Sequence, residues 1–107
     1  MQNLTAPDLA TWLADASRQP PVLLDVREVR EYDICHLANA TLIPMNTVPA
    51  RIDELDPQAE IVCICHHGGR SMQVAAFLER NGFSKISNLT GGVHAWSQQV
   101  DPAMPTY

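Results

Sequence analysis

No stretch of this 107-residue chain approaches the roughly 20 consecutive apolar residues that a membrane-spanning helix needs, so no membrane partner is expected. The opening segment, MQNLTAPDLATWLADA, lacks the basic flank and continuous apolar run of a secretory leader. Positive charge is scarce: seven Lys and Arg stand against twelve Asp and Glu, for a net charge of −5. No basic cluster offers a surface to nucleic acid, so direct nucleic-acid binding is not expected either. Internal repeats, linkers and low-complexity tracts are missing as well. Cysteines number only three, which leaves at least one unpaired, and a reducing compartment would keep them as thiols. The resulting expectation is one cytoplasmic domain over residues 1–107, whose 46% hydrophobic content suffices for a core without disulfides.

What is present reads as alternating elements. Thr5 is placed as a helix N-cap, with Asp8 at the third helical position and Leu4 and Leu9 as a hydrophobic staple. Leu9, Trp12, Leu13 and Ala16 carry the helical period to about Ser17, and Pro20-Pro21 breaks it. VLLDV (Val22 to Val26) is a short apolar run between breakers, as in a buried strand. REVREYDICHLANA is polar and mixed, one helical turn and a loop. TLIPM is a weak strand ended by Pro44. Pro49 opens a short helix bearing Ile52 and Leu55, closed by Asp56-Pro57. EIVCIC is the strongest strand signal. Ser71 to Arg80 reads as a helix capped by Asn81-Gly82, and KISNL as a short strand. Gly91-Gly92 leads into a last helix with Val93, Trp96 and Val100 on one face, beyond which Pro102 and Pro105 exclude helix. Strands alternating with helices predict an α/β fold, a central parallel sheet with helices on both faces. Sites in such sheets lie outside the carboxyl ends of the strands.

The richest of those strand ends is Cys65-His66-His67-Gly68-Gly69-Arg70-Ser71. A glycine-rich turn into a helix N-terminus directs backbone N–H groups at an anion. The helix end, Arg70 and the two imidazoles favour thiolate over thiol at Cys65. This is the pattern of an activated nucleophile in an anion cradle. A buried cysteine before a turn is the plainer reading, but it does not account for the two histidines and the arginine. Attack at phosphorus and attack on the sulfane sulfur of an anionic donor both fit. Cysteine phosphatases carry a loop one residue longer between cysteine and arginine, and the shorter loop here suits a single bound sulfur.

The remaining candidates weigh as follows. Cys63 and Cys65 sit two apart on an extended strand, ~6.6–6.8 Å from each other, too far for a disulfide, so Cys63 is read as core. Cys63, Cys65, His66 and His67 stand too close in sequence to close a tetrahedral metal site, and no metal or other cofactor is expected. His36 and His94 are read as structural or solvent-facing, Trp12 and Trp96 as core aromatics. Asp25 and Arg27 are read evenly as a brace for the loop or a surface pair. Glu31 is read as a surface residue or a salt-bridge partner of Arg27.

CHHGGRS resembles the active loop of the rhodanese family, of pattern C-x-x-G-x-R. LLDVREVREYDICHLANATLIP is similar to the family's N-terminal signature, D-x-R-x-x-x-E-[YF]-x-x-G-H-[IL]-x-x-A-x-x-[IL]-P, and LTGGVHAW to its C-terminal G-G-x-x-A-W. The three stretches occur in family order and at family-like spacing, and the resemblance covers nearly the whole chain, from about Leu4 to Trp96. The resemblance implies a five-stranded parallel sheet with helices on both sides and a sulfurtransferase without cofactor. Cys65 would take sulfur from a small anionic donor such as thiosulfate and pass it to cyanide or a thiol, including a protein thiol. The N–H groups of His66 to Arg70 would hold the persulfide, with Asp25, Arg27 and Ser71 in support. A sulfur carrier or docking module is the alternative, and a phosphatase or arsenate reductase on the same fold a weaker one. Two positions depart from the pattern: Cys35 stands where the family has glycine, and Asn39 where glycine is common.

Overall fold

The computed structural model describes residues 1–107. Five strands form one sheet: β1 (Gln2–Leu4), β2 (Val22–Asp25), β3 (Thr41–Leu42), β4 (Ile61–Ile64) and β5 (Ile86–Leu89). The order across the sheet is β1-β5-β4-β2-β3, and every pairing is parallel. Five α-helices connect them: α1 (Ala6–Ala14), α2 (Val29–Ile34), α3 (Val48–Arg51), α4 (Gly69–Arg80) and α5 (Gly92–Gln99). No helix is long and apolar enough to cross a membrane.

Parallel strands buried on both faces need apolar side chains in succession, and β4 is buried throughout. Val62 and Ile64 face one core with Ala6, Leu9 and Trp12 of α1 and Val93 and Trp96 of α5. Ile61, Cys63 and the adjoining Cys65 face the other, with Val74, Ala75 and Leu78 of α4 and Val48 of α3. The shared face of Cys63 and Cys65 follows from the two-residue strand period, and all three cysteines are free thiols. Trp12 and Trp96 are core aromatics as expected.

Thr5 caps α1 as predicted. Its side chain accepts from the Asp8 N–H at 3.2 Å, and the Asp8 carboxylate accepts from the Thr5 N–H at 3.2 Å. The helix ends at Ala14 rather than near Ser17, because Asp15 turns extended and accepts from the Ser17 N–H and hydroxyl. The polar 27–40 stretch holds a six-residue helix, α2, where one turn was expected. Strand β1 has no counterpart in the sequence reading: three residues without pattern gain strand form only by pairing with β5. Of the two departures, Cys35 is extended (φ −162°, ψ 148°) and so needs no glycine, whereas Asn39 takes φ 66° in the left-handed region.

Candidate active site

The chain crosses from one side of β2 to the other between β3 and β4, so the carboxyl ends of β2 and β4 flank a topological switch point. Asp25 closes β2 and pairs in register with Ile64 of β4, one residue before Cys65. The Cys65 loop therefore rises beside Asp25 and Arg27, and α4 begins at its far end. The helix starts at Gly69, two residues before the Ser71 of the sequence reading, because Gly68 makes the turn at φ +105°. A side chain at Gly68 would press on the Gly91 nitrogen and the Leu89 carbonyl, both 3.3 Å from the position of a Cβ.

Cys65 lies at the floor of the loop, buried. Its Sγ accepts from the Gly68 N–H at 3.0 Å and lies 3.3 Å from the Ser71 hydroxyl. That hydroxyl has one hydrogen. It donates to Asn88 Oδ1 on β5, whose amide is oriented by donation from Nδ2 to the Gly68 carbonyl at 3.2 Å. With that donor used, the Ser71 oxygen offers a lone pair to an S–H, or turns to donate to a charged sulfur. Asn88 is buried in a strand of mostly apolar neighbours, and that misplaced amide was the signal that the sequence reading passed over.

The loop is fastened on two sides. On one, the Val93 N–H donates to the Cys65 carbonyl at 2.9 Å and the His94 N–H to the His66 carbonyl at 3.1 Å, tying the start of α5 to the loop. On the other, Arg70 grips Glu31 with two hydrogen bonds of 2.8 Å. This corrects the expected Glu31–Arg27 pair: Arg27 reaches only the backbone carbonyl of Glu31, at 3.4 Å. It also shows Arg70 engaged sideways with α2. Hydrogen bonding by Arg70 outweighs burial and holds the Glu31 carboxyl well below the usual carboxylate range.

Arg27 is fully buried with Asp25, so the two do not form a surface pair. The guanidinium donates to both Asp25 oxygens, to the Cys35 carbonyl at 2.7 Å and to the Tyr107 hydroxyl at 2.9 Å. Burial alone would lower its pKa, but the hydrogen bonds it donates to Asp25 and Tyr107 leave it raised. Tyr107 in turn donates to Glu31 at 2.8 Å and stacks on His66 with ring centroids 4.0 Å apart. The final segment VDPAMPTY thus packs on the site. Burial and the Glu31 carboxylate push the Tyr107 phenol up to about 12, so it remains a donor at neutral pH.

Cys63 is fully buried and its thiol is pushed up to about 12, by burial first and by Cys65 second. It is core, as read. Cys35 is buried, with its sulfur 3.9 Å from an Arg27 nitrogen. His36 is exposed and its ring bonds the Tyr32 carbonyl at 2.9 Å. His94 is half-buried, and its ring lies beside those of His66 and His67. Burial and the His67 imidazole lower the pKa of His66.

Comparison with known proteins agrees with this geometry. A family profile described as the rhodanese-like domain matches residues 9–99. A putative sulfur carrier protein, YrkF of Bacillus subtilis, is 37% identical over 79 residues, covering 74% of the chain and 43% of that protein. A sulfurtransferase of Allochromatium vinosum is 30% identical over 102 residues, covering 95% of the chain and 94% of that protein. The crystal structure of a rhodanese-like domain protein from Staphylococcus aureus superposes with a TM-score of 0.83 at 33% identity, over 90% of the chain and 91% of the other. The chain spans less than half the length of several of the curated relatives it matches.

Proposed function

The chain belongs to the rhodanese-like domain family, and from that premise we propose that it is a sulfurtransferase working through a persulfide on Cys65. The observation that carries the reading is the Cys65 sulfur at the floor of the loop, accepting from the Gly68 N–H and touching the Ser71 hydroxyl. In the first step the Cys65 thiolate attacks the outer sulfur of thiosulfate. A sulfur–sulfur bond forms to Cys65, the donor's own sulfur–sulfur bond breaks, and sulfite leaves with the electron pair. The backbone N–H groups from His66 to Arg70 line the space for the outer sulfur and its charge. Cyanide or a thiol then attacks that sulfur, giving thiocyanate or a new persulfide and returning the Cys65 thiolate. No metal or cofactor takes part.

The same persulfide serves a carrier that hands sulfur to a protein thiol. Relatives named as a sulfur carrier and as adenylyltransferase and sulfurtransferase support this second reading. So does Met72 on α4, an exposed apolar side chain next to Ser71. The short loop disfavours phosphate chemistry. We keep the reading of residues 1–107 as one domain, in a reducing setting such as the cytoplasm that preserves the thiol. Thiocyanate release from thiosulfate and cyanide tests the enzyme reading: activity in the wild type and none in Cys65→Ser supports it, and equal rates in both overturn it. Faster sulfur delivery to a protein thiol than to cyanide selects the carrier role.

A further inference from the structure

Three imidazoles meet at the mouth of the loop, and none of their ring nitrogens bonds to protein. His66 and His67 come from the loop and His94 from the first turn of α5, and one donor atom from each lies within 4.8 Å of the others. Ring centroids are 4.0 Å apart for His66 and His67, 4.9 Å for His67 and His94, and 6.1 Å for His66 and His94. The backbone sets this register, since the His94 N–H donates to the His66 carbonyl. Stacking by Tyr107 fixes the His66 ring from the other side. Of the four histidines, only His36 spends a ring nitrogen on a protein hydrogen bond. Ring nitrogens at this half-exposed position are open to solvent, and three of them gathered this closely form a donor set for one shared ligand.

We propose that His66, His67 and His94 form a binding site for one late first-row divalent cation, with Zn²⁺ as the reference ion, where the Cys65 loop meets α5. Imidazole nitrogen suits Zn²⁺, Cu²⁺ and Ni²⁺, and three imidazoles with an open fourth position are an established zinc environment. Zinc–nitrogen bonds of about 2.0–2.1 Å place tetrahedral donors about 3.4 Å apart. From the 4.8 Å within which the donors lie, the spacing must contract by up to about 1.4 Å, through rotation of exposed His67 and half-buried His66 and His94. This set differs from the Cys63, Cys65, His66 and His67 group weighed from the sequence. Four ligands within five residues of one strand and its turn cannot all converge, whereas His94 arrives from a different element and closes the third side. The cluster contains no carboxylate or thiolate, so the affinity rests on the three imidazoles alone.

The test is titration of the full chain with Zn²⁺ by calorimetry, beside Co²⁺ absorption, for the wild type, His67→Ala, His94→Ala and Cys65→Ser. His67 is exposed, so its removal reports on binding without disturbing packing. Binding does not depend on whether Cys65 carries sulfur, so its failure leaves the sulfur-transfer reading standing. The expected result is one Zn²⁺ per wild-type chain, at least tenfold weaker binding in each histidine variant, unchanged affinity in Cys65→Ser, and a Co²⁺ spectrum without a thiolate charge-transfer band. No stoichiometric uptake by the wild type, wild-type affinity in either histidine variant, or loss of binding in Cys65→Ser overturns the proposal.

Discussion

Replacing Asp25 by alanine tests how much the buried Asp25–Arg27 pair contributes to the fold. The Asp25–Arg27 pair has side-chain exposures of 1% and 0%, and Arg27 Nε and Nη2 contact both carboxylate oxygens at 2.6–3.1 Å. In Asp25→Ala the guanidinium stays buried and keeps only neutral direct partners: the Cys35 and Glu31 carbonyls, the Cys35 sulfur and the Tyr107 hydroxyl. Removing one partner of a buried pair costs about 3–5 kcal/mol, because the surviving charge is uncompensated. That is a large part of the ~5–15 kcal/mol that holds a domain folded. Urea unfolding followed by circular dichroism measures the loss directly, as a shift in midpoint at unchanged slope. The double variant Asp25→Ala/Arg27→Met removes the stranded charge and should be more stable than Asp25→Ala alone. A loss below about 1 kcal/mol, the range of an exposed pair, would refute the reasoning, as would a double variant less stable than the single.

Other outcomes follow from the same contacts. Gly92 has φ +59°, and a Cβ there would land on the carbonyls of Cys65 and His66. Gly92→Ala should cost at least the ~1–3 kcal/mol of left-handed strain in urea unfolding and slow transfer by shifting the loop. Glu31 has a lowered folded-state pKa, so its contribution to stability is present above the unfolded value of about 4.3 and lost as pH falls below it toward the folded value. The stability difference between wild type and Glu31→Gln, read from acid-range melts, should therefore shrink as pH drops below about 4.3; a difference that is constant with pH contradicts this. Cys63, fully buried and pushed up to about 12, should resist iodoacetamide at neutral pH in the folded protein, and peptide mapping that finds it alkylated would contradict its placement in the core.

Much of the site was legible because its chemistry is local. The thiol, glycine turn and arginine lie in one stretch, and Gly68 and Ser71 both reach the Cys65 sulfur within it. The Thr5 cap and the apolar β4 run are likewise local signals, as is the left-handed turn at Asn39. What escaped depends on contacts between distant segments. Glu31 and Arg70 stand 39 positions apart, Arg27 and Tyr107 80 apart, and no spacing rule links them. His94 reaches His66 through a backbone bond that exists only once α5 docks on the loop. Strand β1 is defined by its neighbour and not by its own three residues.

The central claim is that Cys65 carries sulfur, and intact mass spectrometry tests it most directly. The purified chain is weighed before and after thiosulfate, beside Cys65→Ser. The account predicts a gain of one sulfur atom in the wild type, discharged by cyanide and missing from the variant. No gain, or the same gain in Cys65→Ser, would contradict it.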